Sequence, residues 1–288
     1  MLILQIFVNG VVLGCLYACI AAGFSLVWGV LNVINLMHGS FIVLGSYLAW
    51  GAYNSMGVSP WVTLAIAAPL FFAVGYLVQR GVLNRVMAAP VLVTLTMTFG
   101  MDLILNNAML LAFKADYRKL LLDPPLGTVA LDSVVVPVDR LVATVFALVL
   151  TGALYLILRK SRMGRAIIAV RLDREAARLM GVDVKATYAS AFGLGAAMAG
   201  CAGVLLALIF PISPLSSLPY LGKAFVVCVL GGLGSVPGAL VGGLVLGAVE
   251  SLGALVLGPE HGLTLAFGLL LLLLVLRPSG LFGRKGFE

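Results

Sequence analysis

Residues 1–79 contain no Asp, Glu, Lys or Arg, and the chain of 288 residues is 10% charged and 62% hydrophobic. A soluble domain carries roughly 25% charged residues, so a water-facing surface cannot be built from this stretch. A membrane-spanning helix needs about 20 apolar residues, and lipid tolerates neither open sheet edges nor irregular backbone. The fold class that meets these conditions is all-α. It is a polytopic transmembrane helix bundle with about eight membrane-embedded segments, some broken or re-entrant, in a single domain over residues 1–288.

Turn-like points divide the chain into segments near 3–30, 32–51, 61–79, 91–113, 141–158 and 187–210. A stretch from 223 to 260 follows, broken by Gly231-Gly232-Leu233-Gly234-Ser235-Val236-Pro237-Gly238, and a last span covers 263–276. Gly193, Gly195, Gly200 and Gly203 suit the sixth segment to close contact inside a bundle. The start, Met1-Leu2-Ile3-Leu4-Gln5-Ile6, lacks the positive region of a cleavable signal, and none is expected. Cys15, Cys19, Cys201 and Cys228 fall inside spans, where they act as small apolar residues. With only His38 and His261 as histidines, no metal-binding cluster arises, and neither metal nor cofactor is expected.

Two hydrophilic loops of equal length differ in charge. Residues 114–140 carry four basic and four acidic residues, whereas residues 159–185 carry eight basic and three acidic. Lys and Arg accumulate on the cytoplasmic side of membrane proteins, so 159–185 is expected in the cytosol and 114–140 outside. Of the 18 basic residues, 13 lie where cytoplasmic loops would be, which accounts for the net charge of +7 without a nucleic-acid partner. The side of the N-terminus stays open: three early crossings put Met1 outside, and one re-entrant segment among them puts it inside.

Polar residues at membrane depth mark candidate sites, because each costs several kcal/mol (about 2–7) unless paired. The first group is Asn32, Asn35, His38 and Gly39, where either a broken helix lines a substrate pathway or polar side chains bond one helix to another. The second is Gly234, Ser235, Pro237 and Gly238, where a broken segment again fits a pathway and tight glycine packing fits equally. Asp102 and Glu250 stand as isolated acids with no Lys or Arg at helical spacing, open to a functional or a structural role. In the basic loop, Asp173 is placed to cap a short helix over residues 174–180 that ends at Gly181. Ala176, Ala177 and Met180 share one face of it, with Glu175 beside them. A docking surface and a merely solvated amphipathic loop both fit this pattern.

At these residues the chain resembles the permease subunits of bacterial branched-chain amino acid ABC transporters, the Liv type. The likeness rests on Gly29-Val30-Leu31-Asn32-Val33-Ile34-Asn35 with His38-Gly39, and on Met163-Gly164-Arg165-Ala166-Ile167 with Leu179-Met180-Gly181. It continues through Lys223-Ala224-Phe225, residues 230–238, Gly242-Gly243 and Arg277-Pro278-Ser279-Gly280-Leu281-Phe282-Gly283. One departure is Ile168, where the family often carries a basic residue.

The resemblance implies a multi-pass protein of the bacterial inner membrane. Its partners would be a sister permease subunit, two cytosolic ATPase subunits, a periplasmic substrate-binding protein and membrane lipid, and residues 159–185 would be a cytosolic coupling loop. Glu175, Ala176, Ala177, Met180 and Gly181 would dock the ATPase. The chain has no Gly-x4-Gly-Lys-Ser/Thr motif, so ATP hydrolysis is assigned to partners and the chain itself is not an enzyme. Family members that carry urea, short amides or other small polar solutes are an alternative. A secondary transporter using Asp102 and Glu250 is a further one. A passive channel explains less, and an intramembrane serine protease lacks a serine–histidine arrangement.

Overall fold

The structure, a computed structural model, describes residues 2–87, 89–125, 127–131, 134–258, 261–277 and 280–281. Its long helices are α1 (Leu2–Leu31), α2 (Met37–Met56), α3 (Pro60–Val78), α5 (Val91–Phe113), α6 (Val138–Lys160), α9 (Val184–Ala207), α10 (Ser217–Gly231), α11 (Val236–Leu257) and α12 (Gly262–Leu276). Helix α3 runs on through a π turn, Gln79–Leu83, into the short α4 (Asn84–Val86). Between α6 and α9 lie α7 (Arg162–Leu172) and α8 (Arg174–Leu179), and the outer loop folds into a hairpin of β1 (Thr128–Leu131) and β2 (Val134–Pro137). Among the described residues, seven helices are long and apolar enough to cross a membrane, and Gly262–Leu276 is apolar but shorter.

Helices α1 and α9 form the core. Both are apolar on all sides, which is the composition of a helix enclosed by others. In lipid no hydrophobic force drives one apolar helix onto another, so close van der Waals contact through small residues must do it. Gly10 and Gly14 of α1 meet Gly243 and Gly247 of α11 in two facing Gly-x3-Gly pairs, and a Cβ on Gly247 would stand 2.3 Å from the Gly10 carbonyl oxygen. Helix α9 takes α2 the same way, where a Cβ on Gly203 would lie 1.9 Å from the Ile42 oxygen. Against α3 the contact runs through Gly193 and Gly75.

The two ends of the bundle are distinct. Gln5 at the start of α1 exchanges hydrogen bonds of 3.0 and 2.9 Å with the Val135 backbone of the outer hairpin. Arg118 of the same loop lies over the Trp50 ring near the end of α2, and its backbone pairs with Ile212 beyond α9. The last turn of α1 instead meets α7 and the turn between α10 and α11, on the side of the basic loop. Helix α1 runs toward the basic end, α2 away from it and α3 back, so the start of α1 lies at the end of the bundle opposite residues 159–185. Helices α10 and α11 form a hairpin with its turn at the basic end.

Close backbone contact makes a prediction. Gly203→Ala forces a methyl onto a carbonyl, a cost of about 1–3 kcal/mol, and lowers the thermal unfolding temperature of the detergent-solubilised protein. Gly152→Ala, inside α6 with nothing within 4 Å of its added methyl, does not lower that temperature.

Candidate functional site

The first interruption separates α1 from α2. Asn32 takes φ 52°, a left-handed conformation that Asn adopts more readily than most residues, and non-helical chain then runs to Leu36. The freed backbone finds partners: the Thr98 hydroxyl on α5 donates to the Ile34 oxygen at 3.0 Å, and the His38 amide donates to the Asn35 oxygen at 3.3 Å. His38, in the first turn of α2, is fully buried with Nε2 3.0 Å from the Ile20 oxygen and its ring edge-on to Phe24. That bond ties the start of α2 to α1 at about the middle of its length. Asn35 is 1% exposed, and neither atom of its side-chain amide has a hydrogen-bond partner. Asn32 is exposed at the basic end.

Gly39 lets α2 touch the start of α10, since a Cβ there would lie 2.2 Å from the Ser217 oxygen. Around this contact runs a chain of polar side chains. The Ser40 hydroxyl donates to one Asp102 carboxylate oxygen, the Asn106 amide donates to the other at 3.1 Å, and the Ser217 hydroxyl donates to the Asn106 oxygen at 2.9 Å. Asp102 is thus not isolated; it links α2, α5 and α10.

The second interruption joins α10 to α11. Gly232 and Gly234 take φ 94° and 76°, a region open to glycine. Ser235 then caps α11 by accepting from the Gly238 amide at 3.0 Å, and Pro237 sits in the first turn, where its missing N–H costs nothing. Gly231 and Gly238 meet backbone to backbone, a Cβ on Gly231 falling 2.2 Å from the Gly238 oxygen. Arg171 of α7 donates from Nη1 to the Gly234 oxygen at 2.6 Å. The two sequence-derived groups do not join into one site. The first meets the beginning of α10 and the second its end, about 22 Å apart at 1.5 Å per residue.

Glu250 is also paired, against the sequence expectation. The Lys223 ammonium on α10 donates to Glu250 on α11 at 2.6 Å and to the Tyr17 hydroxyl on α1 at 2.8 Å. Helical spacing within one segment does not reveal this pair, because the partners belong to two arms of a hairpin. The available signal was that Lys223 and Glu250 are the single Lys/Arg and the single Asp/Glu of consecutive apolar segments joined by a glycine turn.

At the basic end Asp173 caps α8 as its position predicts, accepting from the Glu175 and Ala176 amides, each at 2.9 Å. Gly181 takes φ 83° after the helix. The face expected from Ala176, Ala177 and Met180 is divided, however. Ala177 is buried against the bundle, whereas Ala176, Glu175 and Met180 are exposed. The most exposed large apolar side chains of this loop are Leu172, Leu179 and Met180, at 76%, 87% and 84%. Beside them a groove of about 1030 Å³ runs between α3–α4 and α8–α9, and Arg80, Arg85, Arg174, Arg178 and Lys185 line it with Asp183.

Charge-poor crossing helices with two interruptions and one basic, partly apolar end define a multi-pass membrane protein of the transporter class. The family model described as branched-chain amino acid transport system / permease component matches residues 6–276, and the chain belongs to that family. It is 35% identical over 300 residues to the high-affinity branched-chain amino acid transport system permease protein BraD of Pseudomonas aeruginosa, covering 99% of this chain and 97% of that one. To LivH of Escherichia coli it is 34% identical over 305 residues, with 99% and 97% covered. To LivM of the same organism it is 27% identical over 290 residues, with 92% and 67% covered. No solved structure matches the chain significantly.

The ion pair generates the prediction for this region. Lys223→Met leaves the half-buried Glu250 without its counter-charge and lowers the thermal stability, by less than the roughly 3–5 kcal/mol of a fully buried pair. The double change Lys223→Met with Glu250→Gln restores most of the lost thermal stability in detergent. Equal melting of single and double variants would show that the pair carries no such load.

Proposed function

We propose that this chain is one permease subunit of an ATP-driven importer of branched-chain amino acids in a bacterial inner membrane. Full-length likeness to proteins named for that transport supports the substrate class. By the positive-inside rule residues 159–185 face the cytosol as a coupling loop, which places the N-terminus and the β1–β2 hairpin on the periplasmic side. A binding protein delivers the substrate there. The likeness to LivM, the weaker of the relatives described, supports a sister permease of the same fold.

The substrate route passes the converging starts of α2 and α10. The first amides of a helix carry unsatisfied N–H groups and a partial positive charge, which suits the carboxylate of an amino acid, and half-helix ends serve this purpose in transporters. Asp102 beside them suits the ammonium group, and Asn35 supplies an unpaired amide. Helix α5, which holds Asp102, is the least covered of the candidate spans, with 11% of its apolar window buried. It also leaves Asn107 exposed. A polar side chain at membrane depth disfavours lipid, so this part of α5 suits a place against the sister permease, within a face that is otherwise apolar.

The ATPase docks at the basic end, and the observation that carries this reading is the exposed trio Leu172, Leu179 and Met180 next to a groove lined by five cations. Ala177 contributes from beneath by holding α8 on the bundle. Replacing Leu179 and Met180 together with Glu, in the full complex, removes at least about 90% of the co-purifying ATPase subunits, since buried apolar anchors at an interface cost 2 kcal/mol or more when lost. Membrane insertion is unaffected because both side chains are solvent-facing. Retention of the ATPases at the wild-type ratio would refute docking at this surface.

A further inference from the structure

We propose that Arg171 is the positioning residue that carries movement of the coupling loop into the turn between α10 and α11 at residues 232–235; this rests on the reading of α8 and its flanks as the ATPase docking surface. The path is continuous in the structure. Helices α7 and α8 are joined by Asp173 alone, whose amide donates to the Ala169 oxygen at 3.0 Å and whose carboxylate caps α8. On the far side of α8 the Val182 amide returns to the Ala177 oxygen at 3.0 Å. A push on α8 therefore moves α7 with it, because the elbow between them is hydrogen-bonded on both sides.

Arg171 sits in the last turn of α7, and its guanidinium bonds the Gly234 oxygen at 2.6 Å. A Cβ on Gly234 would lie 3.0 Å from Arg171 Cζ and Nη2 and 3.0 Å from Gly29 Cα, so the turn is held between the flat guanidinium and the last turns of α1. There is no slack in this sandwich: a Cβ on Gly29 would come within 2.6 Å of Gly234 Cα. Gly231 and Gly238 lock the end of α10 to the start of α11, so displacement of the turn displaces both helices. The other end of α10 carries Ser217, which reaches Asp102 through Asn106. A load applied at α8 is thereby delivered to the polar cluster where the two half-helices begin.

An arginine suits this role because its rigid, planar, permanently charged fork both stacks on and bonds to a backbone surface. The test is made on the complex with ATPases, sister permease and binding protein, reconstituted in liposomes, measuring labelled leucine taken up per ATP hydrolysed. Arg171→Ala keeps its ATPase subunits and its hydrolysis, while uptake per ATP falls by at least about fivefold, the lower range for coupled sites. Arg171→Lys, which keeps a charged donor without the plane, gives an intermediate ratio. Arg140→Ala, at the start of α6 and at the opposite end of the bundle, leaves the ratio unchanged. An unchanged ratio in Arg171→Ala overturns the proposal, and so does loss of the ATPases from that variant, which would assign Arg171 to assembly. If the wild-type complex itself retains no ATPase, the docking reading fails first and this proposal falls with it.

Discussion

Inside a membrane every backbone N–H and C=O must find a partner within the protein, because lipid offers none. The chain meets that demand by helix along its spans, and two of its departures from helix among the described residues are 32–36 and 232–235. Each departure is repaired by a group from another element: Thr98 bonds the Ile34 oxygen, and Arg171 bonds the Gly234 oxygen. The repairs tie the interruptions to α5 and to α7 of the basic loop. Glycine-mediated packing of α1 against α9 and α11 supplies the rigid frame in which such short bonds can be held.

Helix α10 gains its importance from this arrangement. It is only 15 residues long, too short to span lipid with apolar length alone. Yet it joins three polar features: Ser217 meets the Asp102 cluster, Lys223 pairs with Glu250 and Tyr17, and its end runs into the turn held by Arg171. A short helix fixed at both ends by hydrogen bonds rather than by broad apolar surface is suited to shift as a unit. We regard it as the element through which events at the basic end reach the half-helix starts.

Much of this was legible in the sequence, for reasons that are physical. The charge-free opening and long apolar runs dictate spanning helices, and lone polar groups such as Asn32-Val33-Ile34-Asn35 mark where a helix breaks. Asp173 and Gly181 announced the ends of α8 by their capping chemistry, and the glycines of α9 announced close packing. What escaped were relations between segments. Glu250 looked unpaired because its partner lies across a hairpin, and Asp102 because its partners are a serine and an asparagine on another helix and on its own. The inward facing of Ala177 depends on how α8 lies on the bundle, which periodicity within six residues cannot specify. Arg171 read as one more basic loop residue, because nothing local shows that its side chain ends on a glycine 63 positions later. With both carboxylates partnered, the secondary-transport alternative loses the isolated acids on which it rested.

In the function proposed above, transport through this chain is driven by ATP and not by an ion gradient. The most direct measurement is uptake of labelled leucine into liposomes containing the chain with its sister permease and ATPases, with binding protein supplied outside. The account predicts accumulation that requires ATP inside and persists when proton and sodium gradients are collapsed. Accumulation by the chain alone that follows an ion gradient and ignores ATP would contradict it.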